Sequence, residues 1–544
     1  MAERMPHAIA VAEPTRRGQG KQRYRTITFA DLEADVNRIA NGLIAEGGRK
    51  GMRIALLVRP GIDFIALVFA LLKTGAVQIL IDPGMGKRNL LKCLADAEPE
   101  GFIAISPAHA VRTLVKDRFP QSRLNITVGR RWWWTGPTLR QIRAAGSPIF
   151  KTAETKSDDP AAIIFTTGST GPPKGVLYCH ENFDRQVAEI GGFYHIKPGE
   201  IDVPGFPLFG LFNAAMGVTT VIPEMDPSRP AKVNPRKFIA GIHTWGATQS
   251  FGSPAIWNRI GRYCEQERIQ LPTLRRVLSA GAPVPPHVLA RMKQCIPIDG
   301  DVHTPYGATE ALPVASISAD EVLSQTAARS RDGAGTCVGR RFPGIAWKVI
   351  RIVDGPIATL SDADELPSNE IGELIVSGPV VTREYVTSQE ANALAKIVDG
   401  DNVWHRMGDV GYFDDQTRFW FCGRLAHRVL TPAGPMYTIR CEAIFNNHPA
   451  VYRSALVGVG PAGSQRPVII AEPWPGQMPR RRTERDRMIA ELRELGAAHP
   501  LTRSIDTFFL HPSMPVDIRH NAKIFREKLA VWAASRLLTP AMSR

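Results

Sequence analysis

The stretch Phe165-Thr166-Thr167-Gly168-Ser169-Thr170-Gly171-Pro172-Pro173-Lys174-Gly175 decides how the rest of this chain is read. It follows the apolar run Ala161-Ala162-Ile163-Ile164 and precedes Val176-Leu177-Tyr178, which makes it a loop between two strands. Its glycines let backbone N–H groups turn toward an anion. Thr166, Thr167, Ser169 and Thr170 add hydroxyl donors and Lys174 adds a charge, a combination suited to phosphate. A Walker loop would need Gly-Lys-Ser/Thr, and a dinucleotide fingerprint would need another glycine spacing. The plainer reading is a solvated loop, because turns use the same residue types.

Further strings follow in a set order. They are Ala280-Gly281-Ala282-Pro283-Val284-Pro285, Tyr306-Gly307-Ala308-Thr309-Glu310, Gly372-Glu373-Leu374, His405-Arg406-Met407-Gly408-Asp409, Gly423-Arg424 and Ala522-Lys523-Ile524. Singly, each has a dull explanation: a core aromatic, a helix-start carboxylate, a turn former or a surface lysine. In this order, over roughly residues 25–530, they resemble the signatures of the adenylate-forming superfamily, which comprises acyl-CoA synthetases, luciferases and peptide-synthetase adenylation domains.

The resemblance implies a role for each string. The loop residues Thr166, Thr167, Gly168, Ser169, Thr170, Gly171 and Lys174 would hold the phosphates, and Gly281, Ala282 and Pro283 would flank adenine. Tyr306 would stack on the base beside Gly307, Thr309 would bond the α-phosphate, and Glu310 with Thr166 would hold Mg²⁺. Asp409 would bind the ribose hydroxyls with help from Arg424, and Lys523 would bridge carboxylate and phosphate oxygens during adenylation. Lys523, Glu310 and Thr309 are thus the expected catalytic residues. The implied architecture is α/β: a large multi-layer N-terminal adenylation domain over residues 1–424, and a smaller mobile α+β lid over 425–544 that carries Lys523.

Local patterns agree with a layered core. Phe29 to Glu46 has helical apolar spacing, with Thr28 as N-cap and Gly47-Gly48 as a stop. Strand-like runs at Ile54–Val58, Gln78–Ile81, Gly101–Ile105 and Ile163–Thr166 alternate with helices, which argues for parallel strands. Phe64 to Leu72 reads as a buried helix feeding a strand, since Lys73 and Gly75 interrupt it well short of the ~20 apolar residues a membrane span needs. The basic, polar segment Met1 to Lys21 does not look like a signal peptide. Seven scattered cysteines without zinc-like spacing read as reduced thiols of a cytoplasmic protein. The Pro/Arg-rich stretch 473–487 reads as an exposed loop in the lid.

The 67 basic and 52 acidic residues give a net charge of +15, which raises nucleic acid as a partner. The arginines are spread along the chain and no nucleic-acid motif accompanies them, so no nucleic-acid partner is expected and a solvated basic surface is the simpler account. Trp132-Trp133-Trp134 beside Arg130-Arg131 is either a partly buried cluster or a docking surface; strand alternation forces at least one ring outward.

The chain departs from thioester-forming members of the superfamily at three places. Ala426 stands where they carry a hinge aspartate, Gly210 where many have histidine, and 429–434 lacks their Val-Lys pair. Gly210 is expected to open volume beside the reacting acid, in a pocket formed with Phe209, Phe212, Phe251 and Gly252. The segments 222–231, 335–339, 407–413 and 517–526 resemble a narrower branch, the β-lactone synthetases of bacterial long-chain olefin biosynthesis. That resemblance implies ATP and Mg²⁺ but not CoA, a 2-alkyl-3-hydroxy long-chain acid as substrate, and room for partner enzymes of an olefin pathway. A long-chain fatty acyl-CoA ligase is the alternative, and an inactive nucleotide-binding scaffold is a third reading against which Glu310, Asp409, Arg424 and Lys523 argue. His180, His303 and His405 are candidate proton acceptors, with none assigned.

Overall fold

The computed structural model describes residues 1–15, 23–166, 172–206, 209–516 and 524–538. Two large sheets dominate. The six-stranded sheet runs in the order Leu124–Val128, Gly101–Ile105, Arg53–Leu57, Val77–Leu80, Pro160–Phe165, Gly175–Cys179. Its first five strands are parallel and the last is antiparallel, since Gly175–Cys179 runs straight back along Pro160–Phe165. The expected strands lie within a few residues of their sequence positions.

The helix expected after Thr28 spans Phe29–Ala45, and the Thr28 hydroxyl accepts the Asp31 N–H at 3.1 Å, satisfying one of the free donors of the first turn. The apolar run beyond it forms helix Ile62–Thr74, which ends at Gly75 in the left-handed region (φ +68°) and feeds strand Val77–Leu80. Its apolar residues face all round because neighbouring layers cover the helix.

The second sheet has fourteen described strands. One half, from Ile9–Pro14 to Asp301–Ala308, is built mainly from parallel neighbours; the other half, from Ala311–Ser318 to Ala346–Ile350, is antiparallel. Strand Phe419–Arg424 is the last of this sheet in chain order. Beyond it come a short hairpin, Val429–Thr431 with Gly434–Met436, and a three-stranded sheet of Val451–Val459, Arg466–Pro473 and Thr507–Leu510. Helices Thr438–Phe445 and Arg482–Ala497 pack on one hydrophobic cluster of this sheet and Arg526–Leu538 on another.

The stretch 473–487 is not one loop: helix Arg482–Ala497 begins inside it, and the Glu484 carboxylate turns back to accept the N–H groups of Arg480 and Arg481 at 3.2 Å. A carboxylate at a helix start offsets the local arginine charge and fills the open donors. All seven cysteines are free. Of the three tryptophans, Trp134 is buried and donates to Thr127 at 2.8 Å, while Trp132 and Trp133 are 47% and 64% exposed. Among the described residues no helix is long and apolar enough to cross a membrane.

Candidate active site

Strand Asp301–Ala308 turns at Thr309-Glu310 and returns as Ala311–Ser318. The turn is tight at Gly307, where a Cβ would lie 2.7 Å from the Ala311 carbonyl oxygen, so a side chain is excluded there. Thr382 fixes the outer edge by donating its N–H (2.9 Å) and hydroxyl (3.0 Å) to the Glu310 carbonyl. The Tyr385 hydroxyl donates to the Glu310 carboxylate at 2.6 Å. Burial, reinforced by the negative Glu310, pushes that phenol far above its ordinary range, so it stays a donor.

Two ammonium groups flank the Tyr385 ring, Lys174 at 5.0 Å and Lys396 at 5.6 Å from its centre. Lys396 donates to the Thr382 carbonyl and is buried, which lowers its pKa to about 7 against the pull of Glu310 and Glu384. His405 is buried nearby. Desolvation and the neighbouring Lys396, Lys174 and Arg424 hold it neutral, well below the ordinary histidine range. Its Nδ1 lies 3.2 Å from the Ala395 carbonyl, a contact that fits the tautomer protonated at Nδ1 and leaves the Nε2 lone pair as acceptor.

Sheet register places Asp409 opposite Arg424. The guanidinium sits 3.1 Å from the carboxylate and donates to the Met407 carbonyl at 3.0 Å, and the Tyr306 hydroxyl also donates to Asp409. The Asp409 charge raises the Arg424 pKa further. Across the stretch 166–174, Thr166 and Lys174 clasp the two ends through backbone bonding at 3.0 Å and a Lys174 N–H to Thr166 hydroxyl bond of 3.1 Å. Thr167, Gly168, Ser169, Thr170, Gly171 and Lys523 lie outside the described residues.

Some of these groups line a cavity of about 1830 Å³. Thr166, Lys174, Gly281, Gly307, Thr309, Glu310 and Arg424 line its polar end, together with Tyr385 and His405. Asp409 and Tyr306 stand behind Arg424 as a hydrogen-bonded pair and are not lining residues, nor are Ala282 and Pro283. Phe209, Phe212 and Phe251 line the apolar end, with Phe209 and Phe251 stacked at 3.6 Å between centres.

Two expected pocket residues require correction. A Cβ on Gly210 would point at Thr220 Cγ2 (3.0 Å) and Ile65 Cδ1 (3.5 Å), so this glycine seats its helix against strand and helix neighbours and opens no space beside the acid. A Cβ on Gly252 would meet the Trp257 ring at 3.0 Å, which makes that glycine a packing requirement as well. Tyr385, Lys396 and the placement of His405 were not found from sequence. A Tyr three residues after Thr382 carries no motif by itself, and a lysine that ends up buried looks like any other.

The likeness to known proteins can be set against this geometry. A family model described as AMP-binding enzyme matches residues 1–386. The chain belongs to the AMP-binding enzymes. This is the family of ATP-dependent, AMP-forming synthetases that act on carboxylic acids. An olefin beta-lactone synthetase of Xanthomonas campestris pv. campestris is 45% identical over 98% of this chain and 96% of its own length. One from Stenotrophomonas maltophilia is 44% identical over 99% and 97%. Among solved structures, the amide bond synthetase McbA from Marinactinospora thermotolerans shares the fold, with a TM-score of 0.77, 22% identity and 97% of each chain covered. The adenylate-forming architecture expected from the motifs is therefore the fold of this AMP-binding enzyme.

Proposed function

We propose that this AMP-binding enzyme is a β-lactone synthetase of long-chain olefin biosynthesis. It activates a 2-alkyl-3-hydroxy long-chain acid with ATP, and the substrate's own 3-hydroxyl closes the ring. The observation that carries this reading is one continuous cavity that joins a polar end, where Lys174 and Arg424 stand with Thr166, Thr309 and Glu310, to the apolar Phe209, Phe212 and Phe251. The full-length likeness to two olefin beta-lactone synthetases supports it.

The residues present fit ATP and Mg²⁺. Among the described residues no three His, Cys, Asp or Glu side chains are grouped to hold a metal. Mg²⁺ commonly uses one or two carboxylates together with substrate phosphates, and Glu310, oriented by Tyr385, can supply one of them, with Thr166 beside it. When bound, Mg²⁺ supplies charge neutralisation at the phosphates.

In the first step a carboxylate oxygen of the acid attacks the α-phosphorus and pyrophosphate leaves. Lys174, Arg424 and, from the unit beyond residue 424, Lys523 stabilise the developing negative charge, while Asp409 with Arg424 would hold the ribose. In the second step the 3-oxygen bonds to the activated carbonyl carbon, its proton passes to a phosphate oxygen of the departing AMP, the carbonyl–phosphate oxygen bond breaks, and AMP leaves. The tethered hydroxyl gives a large effective molarity, so the enzyme's task is to fold the substrate and exclude water. His405 can accept a hydrogen bond from that hydroxyl at Nε2. Pathway partner enzymes would supply the acid and take the lactone.

The test is incubation with ATP, Mg²⁺ and a synthetic 2-alkyl-3-hydroxy acid or its 3-deoxy analogue, each with and without CoA. The hydroxy acid should give AMP and lactone without CoA, and the deoxy acid should stall as an adenylate. Equal thioester formation from both acids, with no turnover lacking CoA, would replace this reading by an acyl-CoA ligase.

A further inference from the structure

The cavity does not end at the phenylalanine wall. Helix Phe209–Met216 borders it from two sides: Phe209 and Phe212 belong with a hydrophobic cluster around Ile190, Phe251 and Leu278, whereas Leu211 packs with a separate one around Phe64, Val68 and Leu80. Gly210 seats this helix on Thr220 and Ile65, which makes it a partition between two apolar spaces.

The second space is a trough along the carboxyl ends of the six-stranded sheet. Leu56 to Val58, Leu80, Ile105 and Ile164 contribute from four adjacent strands, which span about 14 Å at ~4.8 Å per strand. Helix Ile62–Thr74 adds Phe64, Val68 and Leu72, spaced four residues apart on one face over about 12 Å. At the near end the trough meets Thr166, and at the far end it reaches Ala108. In open parallel sheets a crevice beyond the carboxyl ends is where ligands collect, and this one is walled largely by aliphatic and aromatic side chains, with Arg59, Gln78 and Asp82 also lining the cavity at these strands.

We propose that this trough is a second acyl site, so that the cavity forks around helix Phe209–Met216 and holds the two hydrocarbon branches of a two-chain acid apart. The proposal rests on the reading that the substrate is a 2-alkyl-3-hydroxy acid. Such an acid carries its chains on adjacent carbons, and two diverging apolar arms meeting at the polar end match that shape. With each branch in its own arm, rotation about the bond between C2 and C3 is restricted and the 3-oxygen is kept beside the carbonyl.

The experiment measures ATP-dependent pyrophosphate release by the full-length protein with synthetic 2-alkyl-3-hydroxy acids in which one branch stays long while the other is cut to methyl, in both senses. For the unmodified protein, shortening either branch should raise KM at least tenfold. Ala108→Phe, at the far end of the trough, should abolish the advantage of one long branch and leave the other within twofold. Phe212→Trp should act on the opposite branch. If one branch contributes nothing to KM in the unmodified protein, or if both variants penalise the same branch, the second site is refuted, and the first of these results needs no variant to fold. Product analysis separates the two ideas. Thioester products with two-branch discrimination intact would remove the lactone reading and keep the trough, and lactone formed without discrimination would do the reverse.

Discussion

Arg406→Met should damage this enzyme far more than loss of one surface arginine would. Arg406 and Glu373 are both buried, at 6% and 1% exposure, and the guanidinium donates to one carboxylate oxygen at 3.0 and 2.6 Å. Its remaining donors reach the carbonyls of Val353 (2.7 Å), Leu394 (3.2 Å) and Gly355. Removing it strands a buried carboxylate and several carbonyl acceptors, a loss of about 3–5 kcal/mol. Burial already pushes the Glu373 pKa up, with Arg406 pulling it back. Without Arg406 the pKa rises further, so the folded variant keeps a proton that the unfolded chain gives up. Stability of the variant must then fall as pH climbs above the ordinary carboxyl value of 4.5, until the raised folded pKa is passed. Urea denaturation followed by tryptophan fluorescence, at about pH 5 and about pH 8, reads the effect, and the penalty should be clearly larger at the higher pH. Adding Glu373→Leu should recover most of the loss. A penalty that is equal at both pH values, or that the double variant leaves in place, would refute the reasoning.

Three other outcomes follow from single contacts. Tyr385→Phe removes the donor on Glu310, a bond to a charged group worth about 1.5–3 kcal/mol, and should raise the Mg²⁺ concentration for half-maximal pyrophosphate exchange by about tenfold; an unchanged titration would separate Glu310 from metal binding. Gly252→Ala drives a methyl to 3.0 Å from the fully buried Trp257 ring and should cost about 1–3 kcal/mol, visible as a lowered Tm, so an unchanged Tm would show that the ring yields. The folded Lys396 binds fewer protons than the unfolded one between about pH 7 and its ordinary 10.5, so it makes stability rise with pH across that window; Lys396→Met should flatten this rise, and an unaltered slope would move the titration elsewhere.

Much of the fold was legible because local signals and tertiary demands coincide. The Thr28 cap, the Gly75 stop and the apolar strands of the parallel sheet each report their own conformation from a few neighbouring residues. The stretch 473–487 was misread because arginine and proline look like loop, while the decisive residue, Glu484, acts by turning back on the chain. The motif residues were legible as a set, and the structure brings Thr166, Lys174, Thr309, Glu310 and Arg424 to one cavity. Gly210 and Gly252 show the limit. A missing side chain reads as space, but the direction in which the absent Cβ would have pointed depends on helix seating and on Trp257, neither of which is local.

The buried charges of the site show why its remaining residues were hidden. Lys396 and His405 sit opposite one another in the antiparallel pairing of Lys396–Asp399 with Asn402–Phe413, and that strand also brings Asp409 across from Arg424. Asp409 pairs with Arg424 directly, whereas Glu310 accepts from the Tyr385 hydroxyl, and the ammonium groups of Lys174 and Lys396 lie against the Tyr385 ring. Burying the Lys396 ammonium is costly, as its depressed pKa records, and Glu310 and Glu384 offset part of that cost. The same strands therefore bring charged side chains to one end of a cavity whose other end is apolar. That division suits an amphiphilic acid activated by a nucleotide, and it arises from strand register, which the residue order at any one motif does not disclose.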